Sequence, residues 1–172
     1  IEKRRKIMST NCKNGVCNRC WKRVIDFQIK VDPRILQAIL PEIEKMFARA
    51  SKSGSLAYAC PNPMDEDFVE AWEIGLKEEF LNDRKALARL LRNPKFKHGY
   101  VEVKEEEVEE LLRSLTELRL NLRENSLGEI SDEQLENGEV DIGAKKSSVR
   151  IGYFAYLVMA EIQERLIFAC SD

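Results

Sequence analysis

Apolar residues recur at helical spacing through four stretches of this chain. Ile35, Leu36, Ile39, Leu40, Ile43, Met46 and Phe47 share one face. Phe68, Val69, Trp72, Leu76 and Phe80 form a second, resumed by Leu87, Leu90 and Leu91. Val108, Leu111, Leu112, Leu115, Leu118 and Leu122 form a third, and Ile151, Phe154, Leu157, Val158, Ile162, Leu166 and Ala169 a fourth. Punctuation agrees with this division. Asp32-Pro33 reads as an N-cap followed by proline at the first helical position, Asp65 can cap the second helix, and Pro94 closes it. Pro41 is expected to bend or divide the first helix, and Asn82-Asp83 to interrupt the second.

The third helix is placed at residues 104–123, opening on Glu105, Glu106 and Glu107, which suit the positive end of its dipole. Ser131 with Gln134 reads as a capping box for one short turn, and Ser147 or Ser148 as the cap of the last helix. Val24 to Val31 and His98 to Val103 read as short extended segments. The expected fold is therefore an all-α helical bundle of four to five helices, residues 32–172, behind a non-helical basic N-terminal arm, residues 1–31.

Two ionisable residues sit in apolar stripes. Arg119 follows Leu115 by one turn, and Glu161 lies within the last stripe. If those helices face each other antiparallel, Arg119 and Glu161 are expected to meet in the core, and Arg119 with Gln163 is a candidate floor for a carboxylate or a peptide terminus.

The net charge of -2 conceals an asymmetry. Residues 1–30 carry nine basic side chains against Glu2 and Asp26, so the remaining residues are strongly acidic. Such an arm suits nucleic acid, an acidic partner or the body itself, or is simply solvated. Met8 is a candidate natural start, in which case residues 1–7 add nothing to the argument. No apolar run approaches the roughly eighteen residues of a membrane span and the start lacks a signal-peptide core, so the expected address is the cytoplasm, with no membrane partner.

Cys12-x4-Cys17-x2-Cys20 is the sharpest chemical pattern. Three thiols within nine positions can converge on one zinc ion, Gly15 and Asn14 permitting the turn, with Cys60, His98 or Cys170 as a fourth ligand. The spacing also matches the first three ligands of plant-type ferredoxins, although the rest of the chain does not. Reduced thiols in a solvated arm are the plainer reading. His98 is the only histidine, which removes most histidine-dependent catalysis, and no nucleotide loop, triad or metalloprotease motif is present. The carboxylates of Glu105 to Glu110 read as a solvated helix opening, and Trp21 and Trp72 as packing residues.

Leu-Thr-Glu-Leu-Arg-Leu at Leu115 to Leu120, Leu127-Gly128, Tyr156-Leu157 and Ile162-Gln163-Glu164-Arg165-Leu166 together resemble a bacterial family of small helical domains of unknown function, best known from actinobacteria. That family carries Leu-Asn-Asp-Leu-Arg-Leu before a late Leu-Gln-Glu-Ser-Leu. Arg119 and Gln163 match, whereas Thr116 and Glu117 stand where the family has Asn and Asp. Its genes are often found beside that of the ClpS adaptor of the Clp protease. The resemblance implies a non-enzymatic, cytoplasmic protein-interaction or regulatory module linked to Clp-dependent protein turnover, with no cofactor unless the arm holds zinc. The alternative is a nucleic-acid-binding transcriptional regulator using the basic arm. An enzyme of a type without a recognisable motif would show itself by a deep pocket with convergent polar groups.

Overall fold

The computed structural model describes residues 23–50 and 60–171. Among them, alternation of period two produces the first element. Ile25 and Ile29 are buried and Phe27 half-buried, while Val24, Asp26 and Gln28 face solvent, so Val24–Gln28 forms strand β1. It pairs antiparallel with β2, Tyr100–Lys104, in a register that sets Ile25 opposite Val103 and Phe27 opposite Val101. Residues 24–29, assigned by sequence to the arm, thus belong to the body. Gly99 makes the join: its left-handed φ of 79° and the bond from Ile29 N–H to its carbonyl at 2.9 Å fix the approach, where a Cβ would lie 3.2 Å from the Ile29 oxygen.

Helix α1, Pro33–Ala50, starts as expected, with Asp32 Oδ1 accepting from Arg34 N–H at 2.7 Å. It runs on past Pro41 without division. Pro41 sits on the exposed face, opposite Leu36, Ile39, Ile43 and Met46, which are buried. Helix α2, Glu66–Arg92, is capped by Asp65 accepting from Phe68 N–H at 3.1 Å, and it is unbroken at Asn82-Asp83. Tertiary pairing overrides local propensity there: Asp83 receives bonds from Arg113 Nε and Nη2 at 2.8 to 3.2 Å.

Lys104 belongs to β2, and Glu105–Glu107 form a single 3-10 turn, so α3, Val108–Ser126, starts later than its periodicity suggested. The short α4, Asp132–Asn137, has the expected reciprocal capping box of Ser131 and Gln134. Helix α5, Ser147–Cys170, starts behind Lys146 without a side-chain cap, because Ser147 is already its first helical residue. The result is an all-α bundle of five α-helices among the described residues, carrying one small two-stranded sheet.

Helix α3 packs on α5, α2 and α1, and the main core joins these helices to the inner face of the sheet. Leu115, Leu118, Leu122, Met159, Ile162 and Leu166 are each almost fully buried between α3 and α5. Leu157, expected in the core, is exposed; Ala155 and Met159 take the inward positions. A second, smaller cluster of Leu127, Ile130, Val149 and Tyr153 closes the far end. Gly152 lets the α3 terminus approach α5 there, since a Cβ at that position would lie 2.5 Å from the Ser126 Cβ.

Candidate interaction site

Where α3 crosses α5, one polar rung interrupts the apolar contact. Arg119 donates from Nη1 to Gln163 Oε1 and from Nη2 to Tyr156 OH, both at 2.8 Å. Its guanidinium carbon lies 4.6 Å from the centre of the Tyr156 ring. Gln163 Nε2 donates to Thr116 Oγ1 at 2.7 Å, and Thr116 Oγ1 donates to the Leu112 carbonyl one turn earlier at 2.9 Å. The cation is therefore held by neutral oxygens and a ring, and its buried Nε has no partner among the described residues. The rung contains no activated nucleophile. Its chemistry is that of a register clamp between two helices.

The expected contact of Arg119 with Glu161 is not formed. Glu161 is half-buried and bonded to Arg165 on its own helix at 2.9 Å, while Arg165 also donates to the Gln28 carbonyl and lies over Phe27. Two residues along a helix turn the side chain by about 200°, so a face that presents Gln163 to Arg119 cannot also present Glu161. Tyr156 is the member of the rung to which sequence reasoning assigned no role. Its spacing of two turns from Gln163 is the signal that was there to find.

Between α2 and α3, ion pairs flank the apolar contact made by Ala86, Leu87 and Leu90. Asp83 binds Arg113 in a bidentate pair, and Arg89 meets Glu107 at 3.3 Å. Arg84 donates to the Phe47 carbonyl at 3.1 Å and stacks over the Phe47 ring at 4.2 Å. Beside it lies a void of about 10 Å³ lined by Arg84, Leu87, Ser114 and Glu117, at the lower bound for one water. Burial pushes the Glu117 carboxyl above its ordinary range, with Arg84 pulling it down and Asp83 pushing it further up.

The first half of α2 has a different character. The helix buries Ala86, Leu87 and Leu90, all in its second half, and no residue before Ala86. Phe68, Val69, Trp72, Leu76 and Phe80 nevertheless continue the same stripe, and among the described residues none of them joins either hydrophobic cluster. Of this stripe Phe68 is exposed, at 42%, and Val69, Trp72, Leu76 and Phe80 are half-buried, while the exposed Ile74 and Leu81 lie on the opposite face. Residues 66–82 also carry Glu66, Asp67, Glu70, Glu73, Glu78 and Glu79 against Lys77 alone. The helix dipole accounts for carboxylates in the first turn only. Of the later four, Glu73 pairs with Lys77 at 3.2 Å, and Glu70 and Glu78 lie exposed on the face opposite the stripe.

The sequence-predicted zinc ligands Cys12, Cys17 and Cys20 lie outside the described residues. Among the described residues no group of three or more His, Cys, Asp or Glu is gathered to hold a metal ion, and Cys60 and Cys170 are free thiols. No described helix is long and apolar enough to cross a membrane. Compared with protein-family models, with curated proteins and with solved structures, the chain matches none.

Proposed function

We propose that this chain is a non-catalytic protein-interaction or regulatory module that engages its partners through the first half of α2. One observation carries the reading: an amphipathic half-helix whose apolar stripe belongs to neither core of the fold. A stripe of that kind, rimmed by charge, marks protein-binding surfaces. The resemblance in the α3 and α5 motifs adds a cytoplasmic setting and a link to Clp-dependent turnover as part of the same proposal.

Affinity capture from the host, followed by reconstitution with the purified partner, tests it. Wild-type protein should bind the reconstituted partner directly, and Leu76→Asp, which changes a side chain outside the core, should lose binding while keeping its unfolding midpoint. A partner retained equally by Leu76→Asp would contradict the proposal. The nine basic side chains of residues 1–30 favour a second reading, nucleic-acid binding by the arm. Deleting residues 1–22, which spares β1, should then abolish salt-sensitive retention on DNA, and equal retention by the shortened chain would exclude that reading.

A further inference from the structure

We propose that the Arg119 rung, besides clamping α3 to α5, binds the terminal carboxylate of a peptide whose last side chain is apolar. This site is separate from the α2 stripe and does not depend on it. The rung holds an uncompensated charge. Arg119 is half-buried, yet among the described residues no carboxylate is bonded to it, and its two bonds go to the neutral oxygens of Gln163 and Tyr156. Glu161 is spent on Arg165, and the exposed Glu164 lies one position past Gln163, about 100° further round the helix. A cation partly removed from water in this way gains from an anion brought to it.

What the rung still offers is hydrogen-bond donors. Each Nη of a guanidinium carries two hydrogens, and Arg119 spends one from each on the rung. Tyr156 accepts from Arg119, and its own O–H meets no acceptor among the described residues; Gln163 Nε2 spends one of its hydrogens on Thr116. A planar carboxylate, which only accepts, supplies both the missing acceptors and the missing charge.

The neighbouring residues select the kind of carboxylate. The helices run antiparallel, Thr116 meeting Gln163 and Ser126 meeting Gly152. Leu112, one turn before Thr116, and Ile167, one turn after Gln163, therefore fall side by side, about 6 Å along the groove from the rung. Leu112 is half-buried and Ile167 is 50% exposed. A terminal residue carries its carboxylate and its side chain on the same carbon, so an apolar last residue can bind the rung and cover Ile167 together. Phosphate satisfies the first contact only.

The test titrates the isotope-labelled full chain with N-acetyl-Gly-Gly-Leu, its C-terminal amide, N-acetyl-Gly-Gly-Glu amide, acetate and inorganic phosphate, following the Arg119 Nε–H and the backbone amides of α3 and α5 by NMR. The free acid should bind about tenfold more tightly than its amide. Tyr156→Phe, which keeps the ring, should weaken the free acid about tenfold. Ile167→Ser should weaken it about threefold and leave acetate unchanged. Arg119→Met, shown to be folded by its unfolding midpoint, should abolish binding. Equal binding of acid and amide, no binding of either, or full affinity in Tyr156→Phe overturns the proposal. So does tighter binding of the Glu-ended amide or of phosphate than of the free acid, because the anion then has another source.

Discussion

Arg119→Met would test how α3 and α5 are registered. The substitution removes two hydrogen bonds from a charged donor, each worth about 1.5 to 3 kcal/mol when well formed, and a guanidinium–ring contact worth about 0.5 to 2 kcal/mol. Two effects oppose the loss. Methionine keeps the apolar stem in place, and the buried Nε, without a partner among the described residues, disappears, recovering about 1 to 3 kcal/mol of desolvation. Gln163 and Tyr156 are half-buried, so water can reach the oxygens left behind. The net destabilisation should be about 2 kcal/mol. In urea titrations with unchanged m-value, the cycle of Arg119→Met with Gln163→Ala should give a coupling of about 1 kcal/mol, and the cycle with Glu161→Gln a coupling within about 0.5 kcal/mol of zero. Coupling to Glu161 without coupling to Gln163 would refute the rotation of α5 described above.

Two glycines should respond with opposite sign. Gly75, in α2 with nothing near its missing Cβ, should gain about 0.5 to 1 kcal/mol on substitution by alanine, whereas Gly152→Ala should lose about 1 to 3 kcal/mol through collision with Ser126, both read from denaturant midpoints. Glu117 predicts a pH dependence. Its carboxyl is raised in the folded state, so the native protein keeps this proton to higher pH than the unfolded chain, and stability falls as pH rises from the ordinary value of 4.5 through the raised one. Glu117→Gln should therefore be more stable than wild type at about pH 7, and the advantage should vanish below about pH 4. An advantage that persists in acid would contradict burial as the cause.

The helices were legible because their stripes are regular, as in Leu36, Ile39, Ile43 and Met46, and because Asp65 and Ser131 carry cap chemistry that acts locally. The errors arose where distant residues decide. Asp83 looked like a helix breaker because Arg113, thirty positions away, is invisible to local propensity. Lys104 looked helical because the glutamates after it suit a helix start, yet the alternation of Val101 and Val103 carries the chain one residue further as strand. Arg119 was correctly placed at the α3–α5 contact, but charge complementarity favoured Glu161 over the neutral Gln163, and only the rotation of α5 about its axis decides between them. The apolar stripe of α2 was visible in the sequence. That its first half lies outside both cores was not, since periodicity records which residues share a face and not what covers it.

Hydrogen–deuterium exchange along α2 tests the central claim most directly. A half-helix of about sixteen residues in which no residue is fully buried is marginally stable, so amides of residues 70–82 should exchange through local opening, while those of residues 86–92, anchored by Ala86, Leu87 and Leu90, should approach the protection of the global fold. Addition of the reconstituted partner should slow exchange across residues 70–82 at least tenfold and leave residues 86–92 unchanged. Uniform strong protection along the whole of α2 in the protein alone, unaltered by the partner, would mean that the stripe is already covered and would contradict the account.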